Sequence, residues 1–67
     1  MTEEFLQGRE VIIELHRVGQ FVKATAMDVA SLTEVSIQGP ASAPEAMLKM
    51  NAIKRLEYVL RKKGLIS

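Results

Sequence analysis

Glu10, Glu14 and His16 are the residues whose types and spacing come nearest to chemistry. They recur at even positions of one apolar-alternating run, so they share a strand face, and two carboxylates with an imidazole are the groups of an acid–base pair or a divalent-cation site. Against that reading, the same positions are ordinary solvated places on a half-buried strand. No phosphate-cradling glycine loop, paired zinc-ligand spacing or nucleophile elbow accompanies them. A pocket of about 300 Å³ is also hard to build in so short a chain. The sequence therefore predicts no enzyme, no catalytic residue, no cofactor and no metal.

A second set is cationic. Lys54, Arg55, Arg61 and Lys62 fall in the last third of the chain and could neutralise phosphates, giving salt-sensitive nucleic-acid binding. The net charge of +1 hides a polarity. Residues 1 to 41 carry Arg9, Arg17 and Lys23 against Glu3, Glu4, Glu10, Glu14, Asp28 and Glu34, a balance of −3, whereas residues 42 to 67 stand at +4. Cations in the last turn of a helix also complement its dipole and keep a small protein soluble, which accounts for much of this run without a ligand.

The third set is apolar and outward-facing. Ile12 and Met27 are expected to face each other on the outer side of a sheet, and Val18 and Phe21 to pair beside a hairpin. Met47 and Tyr58 lie nearly in line on the far side of a helix, with Met50 close by; flexible methionines suit partner surfaces. Scattered surface hydrophobes are normal, yet a sheet covered on one face only would leave these groups exposed on the other. The partner expected first is another protein or a second copy, with nucleic acid as the alternative and no membrane.

These residues must be positioned by few elements. With 67 residues, 48% of them apolar and 25% charged, the chain makes at most one domain, buries only about 60% of its unfolded surface, and has no cysteine to staple it. The first residues show no signal-peptide pattern and no stretch nears a membrane span, so a cytoplasmic protein is expected.

Hydrophobic period then switches from two, over residues 9 to 38, to about 3.6 after Ser42. Residues 1 to 8 read as a loose arm. Val11, Ile13 and Leu15 alternate with Glu10, Glu14 and His16, and Val18-Gly19-Gln20-Phe21 offers a two-residue type II′ hairpin. That loop fixes a register: Arg17 faces Val22, Leu15 faces Ala24, Ile13 faces Ala26, and Val11 faces Asp28, an awkward acid on an otherwise apolar face. Residues 30 to 33 read as a turn, Val35 and Ile37 as a third strand of open register, and Gly39-Pro40 as its end.

Ser42-Ala43-Pro44-Glu45 reads as a capping box starting a helix near Ala43. Leu48, Ala52, Ile53, Leu56, Val59 and Leu60 share one helical stripe, and Gly64 supplies the stop. The expected fold is α+β: a three-stranded antiparallel meander with one long C-terminal helix packed on one sheet face.

Three strands and a helix resemble the later part of a double-stranded-RNA-binding domain. That family starts its final helix with a lysine cluster, where this chain has Pro44, Glu45, Ala46 and Met47, and its first RNA-contacting helix is missing here. Over most of the chain the strand–VGQ–strand hairpin, the TEVSIQGP segment and the helix beginning SAPEA resemble a family of short bacterial proteins of unknown function. The resemblance implies no activity and transfers no catalytic residue. The name serine hydroxymethyltransferase on any such chain would be a mislabel, because this length cannot house that enzyme's pyridoxal-phosphate fold.

Overall fold

The computed structural model describes residues 2–67. Four strands, β1 (Thr2–Leu6), β2 (Arg9–Val18), β3 (Phe21–Asp28) and β4 (Thr33–Pro40), form one antiparallel sheet in the order β1-β2-β3-β4, and α1 (Glu45–Lys62) lies over β3 and β4. The sheet has four strands rather than the expected three, because residues 2 to 6 of the supposed loose arm form β1; Met1 lies outside the described residues.

The missed signal is Gln7-Gly8. Their φ angles of 52° and 80° are the paired left-handed values of a type I′ hairpin turn, which sets Leu6 opposite Arg9 and Glu4 opposite Val11. Glutamine is a weak signature for that turn, and two adjacent glutamates obscure the alternation of β1.

The β2–β3 hairpin follows the register implied by its loop, from Val18 opposite Phe21 to Val11 opposite Asp28. Gly19 has a φ of 61° while Gln20 is not left-handed, as a type II′ turn requires. The third turn spans residues 29 to 32 rather than 30 to 33, and β4 runs two residues further at each end than Val35–Gln38. The sheet does end at Gly39-Pro40, but the two are the last paired residues of β4, opposite Val22 and Phe21. Proline is tolerated there because β4 is an edge strand.

The core joins Val11, Ile13, Ala24 and Ala26 of the sheet to Leu48, Ala52, Leu56 and Leu60 of the helix. Ile53 and Val59 flank that stripe and are partly buried. Small side chains bring the layers together: Ala24 and Ala26 meet the helix from β3, and a Cβ on Gly39 would collide with the Leu48 side chain. Each fully buried leucine contributes roughly 1.5–3 kcal/mol relative to exposure.

The helix begins later than expected. Pro44 is the N-cap, extended at ψ 135°, and no side chain caps it; its carbonyl accepts from Met47 and Leu48 at 3.1 and 3.2 Å. Ala43 precedes a proline and is thereby biased out of the α region, so Ser42 cannot occupy a capping position. At the other end Gly64 (φ 76°) donates to the Arg61 carbonyl at 3.0 Å and Leu65 to the Leu60 carbonyl at 2.9 Å, a Schellman motif.

Candidate interaction surfaces

One buried polar cluster pins the sheet to the chain's C-terminal end. Asp28 has no solvent exposure, and its carboxylate accepts from Arg9 Nε at 3.1 Å, Arg9 Nη2 at 2.9 Å, the Ser31 amide at 3.1 Å and Ser31 Oγ at 2.5 Å. Ser31 Oγ also shares a hydrogen bond with Thr33 Oγ1 at 2.8 Å, and Lys63 Nζ donates to Thr33 Oγ1 at 3.2 Å. The Arg9 guanidinium reaches the Leu65 carbonyl at 3.5 Å. The guanidinium and the two Ser31 donors hold the Asp28 carboxyl down at about 2 despite its burial, and Asp28 in turn raises Arg9.

Among the described residues no buried side-chain polar atom lacks a partner, so this cluster is fully satisfied internally. It is a clasp that presents no open valence to a ligand. Its signal was already present in the hairpin register: an acid opposite Val11 on the core face, with Arg9 two residues from Val11 on that same face.

The helix-free face of the sheet is a graded surface. Its rows run Phe5–Glu10, with Phe5 72% exposed, then Glu3–Ile12–Met27–Glu34, then Glu14–Thr25–Ser36, then His16–Lys23–Gln38, and end at Val18–Phe21–Pro40. Ile12 and Met27 face each other as expected and are half-buried between two glutamates, while Val18 and Phe21 pair at the hairpin tip and stay exposed. The two apolar pairs stand six residues apart along β2, about 20 Å, with polar rows between them.

Glu14 and His16 touch, Nε2 to Oε2 at 3.0 Å, but both are solvated, and Glu10 turns instead toward Glu3. Hydrogen bonding and repulsion from Glu3 raise the Glu10 carboxyl above its ordinary value. Among the described residues no group of three potential ligands is disposed to hold a metal ion.

Met47 and Tyr58 lie on the exposed crest of α1, on the opposite side of the molecule from Ile12 and Phe21. The apolar residues picked out by sequence thus form separate surfaces. Around Tyr58 the crest is cationic: Arg55 and Lys62 sit 5.9 and 5.8 Å from the ring centroid, a cation–π bracket. Arg61 is paired with Glu57 at 2.9 Å one turn away.

Lys54 faces a different feature, an open groove between α1 and β1 of about 560 Å³ lined by Glu4, Ala46, Lys49, Met50, Ile53 and Lys54. The groove exists because the helix covers β3 and β4, leaving the inner side of β1 without a second layer. It lies on the surface, outside the core, where so short a chain has little room for a pocket.

Fold and surfaces together define a small α+β protein: an antiparallel four-stranded sheet with one helix on one face. The chain belongs to the family described as a domain of unknown function, DUF6898, which it matches over residues 8–63. No curated protein and no solved structure matches it. No helix is long and apolar enough to cross a membrane among the described residues.

Proposed function

We propose that the protein is a small non-enzymatic interaction module of the cytoplasm that recognises protein through the helix-free face of its sheet. The observation that supports this most directly is the Ile12–Met27 pair, held on the two inner strands of an uncovered sheet face and only half-buried there. Neighbouring strands provide the rigid frame a recognition surface needs, and the flanking Glu3 and Glu34 favour a partner with an apolar centre and cationic rim.

The test is affinity capture by the full chain, with and without nuclease, compared with the Ile12→Glu, Met27→Lys variant. A nuclease-resistant partner retained by the wild type and lost by the variant is expected; equal capture by both chains would count against the sheet face.

A second reading rests on the Arg55–Tyr58–Lys62 bracket, since an exposed aromatic between two cations can stack a base while the cations meet phosphates. It expects a nuclease-sensitive haul that Arg55→Glu with Lys62→Glu abolishes. An unchanged salt slope for single-stranded RNA in that variant would remove it.

A further inference from the structure

The two edges of the sheet are unequal. β1 is five residues long and carries Glu3 and Glu4, charges of the kind that blunt an edge against pairing. β4 is eight residues long with Glu34 as its one charge, and the helix lies over β3 and β4.

Which backbone groups β4 leaves unpaired follows from the ladder. The Val29 amide donates to the Glu10 carbonyl, and hydrogen-bonded pairs alternate along an antiparallel strand. The odd residues of β3 therefore bond to β2. Val22, Ala24, Ala26 and Asp28 bond across to Gly39, Ile37, Val35 and Thr33. The N–H and C=O groups of Glu34, Ser36 and Gln38 point away from the sheet.

We infer that this edge binds a second copy of the chain, antiparallel about a twofold axis at Ser36, making one continuous eight-stranded sheet. In that register Ser36 opposes the partner's Ser36, and Glu34 opposes the partner's Gln38. All three outward N–H groups and all three outward C=O groups of each protomer then enter the ladder. The side chains agree with the backbone. Glu34 meets a glutamine and not another acid, and on the helix-covered face Val35 falls opposite the partner's Ile37, both only half-buried in a single chain.

Other registers fit less well. Centring on Ile37 sets Glu34 against the partner's Pro40, which has no N–H. Centring on Val35 sets Gln38 against the partner's Leu32, a turn residue at φ 57°. A one-residue slip would turn the inner residues of one protomer outward relative to the other.

The Ser36 register also places Leu32 beside the partner's Pro40, the end of the row that contains Val18 and Phe21. Leu32, Val18 and Phe21 are 72%, 65% and 57% exposed in one chain, and the pairing gathers them into a single cluster at each end of the joint.

A second copy is one partner for the interaction reading on which this rests, yet it pairs through the β4 edge and not the outer face, so the two are separable. The experiment is sedimentation equilibrium of the full chain over a concentration series. The wild type is expected to rise from the mass of one chain to two.

Ser36→Pro removes an outward N–H that no intrachain bond uses, at an edge position where proline is tolerated, and is expected to raise the dissociation constant at least about tenfold with an unchanged circular dichroism spectrum. Should that variant unfold, cross-linking decides. The Ser36 Cα atoms of the two protomers would lie about 5.5 Å apart, within disulfide reach, so Ser36→Cys is expected to form a covalent dimer on mild oxidation far faster than Gln38→Cys.

A wild type that stays monomeric up to about 1 mM would overturn the inference. So would equal cross-linking of the two cysteine variants. Dimers broken by Ile12→Glu but not by Ser36→Pro would also overturn it, while leaving the sheet-face reading intact.

Discussion

Arg9 and Asp28, nineteen residues apart, meet as a two-bond ion pair with Nε–Oδ1 at 3.1 Å and Nη2–Oδ2 at 2.9 Å, the carboxylate wholly buried and the guanidinium side chain 23% exposed. The pair closes the end of the sheet opposite the Gly19 hairpin and ties it to the segment after the helix.

Removing either partner leaves the other without its counter-charge. Arg9→Met is expected to cost about 3–5 kcal/mol, because Asp28 keeps its buried charge with only Ser31 to satisfy it. Asp28→Ala is expected to cost less, since Arg9 can turn to solvent. Urea unfolding of the two variants against the wild type measures the order; Asp28→Ala proving the more damaging would contradict this account.

The same pair sets an acid limit. Asp28 titrates at about 2 in the folded chain against an ordinary value of 3.8, so its stabilisation is fully present above about pH 4 and is lost as pH falls toward 2. The shift corresponds to about 2 kcal/mol. Glu10, raised by Glu3, acts in the opposite sense: its contribution is present at low pH and lost as pH rises through its folded value. Unfolding free energy measured from pH 7 to 2 should therefore fall below pH 4 in the wild type. The fall should shrink in Asp28→Asn, and Glu10→Gln should be more stable than the wild type at pH 7.

Gly39 and Leu48 set the spacing between β4 and α1. Gly39→Ala drives a methyl into the Leu48 side chain and is expected to destabilise by about 1–2 kcal/mol, although alanine is otherwise better suited to a strand than glycine. In a Leu48→Ala background the penalty should vanish or reverse. A double-mutant cycle with no coupling between the two positions would show that the helix is not held off by this contact.

Ser42 makes no capping hydrogen bond, so Ser42→Ala is expected to change stability by less than about 0.5 kcal/mol, whereas loss of a true N-cap costs typically ~1 kcal/mol. Thermal denaturation distinguishes the two values.

Much of this fold was legible because its signals are local. Gly19 dictates a turn, the turn dictates a register, and the register places Ile12 against Met27 and Val18 against Phe21 without further information. The helical stripe from Leu48 to Leu60 needs only its own periodicity. β1 was hidden because Gln7-Gly8 is a weak turn signature and Glu3-Glu4 breaks the alternation. The capping box misled because its pattern ignores the restriction that Pro44 places on Ala43.

The candidate surfaces depended on more than local signals. The outer-face pairs follow from hairpin arithmetic, but their separation by two polar rows, and the placement of Met47 and Tyr58 on the opposite side of the molecule, follow from which sheet face the helix covers.

Alone, the sequence determined three of the four strands, the β2–β3 register, the buried stripe of α1 and the polarity between an acidic first part and a basic helix, all consequences of neighbours within a few residues. Tertiary structure decided that Asp28 is neutralised by Arg9, that Gly39 admits Leu48, that a groove opens beside β1, and that Glu34, Ser36 and Gln38 turn their backbone outward. Those depend on residues far apart in the chain being brought within a few ångströms, and only the closing of the sheet against the helix fixes such distances.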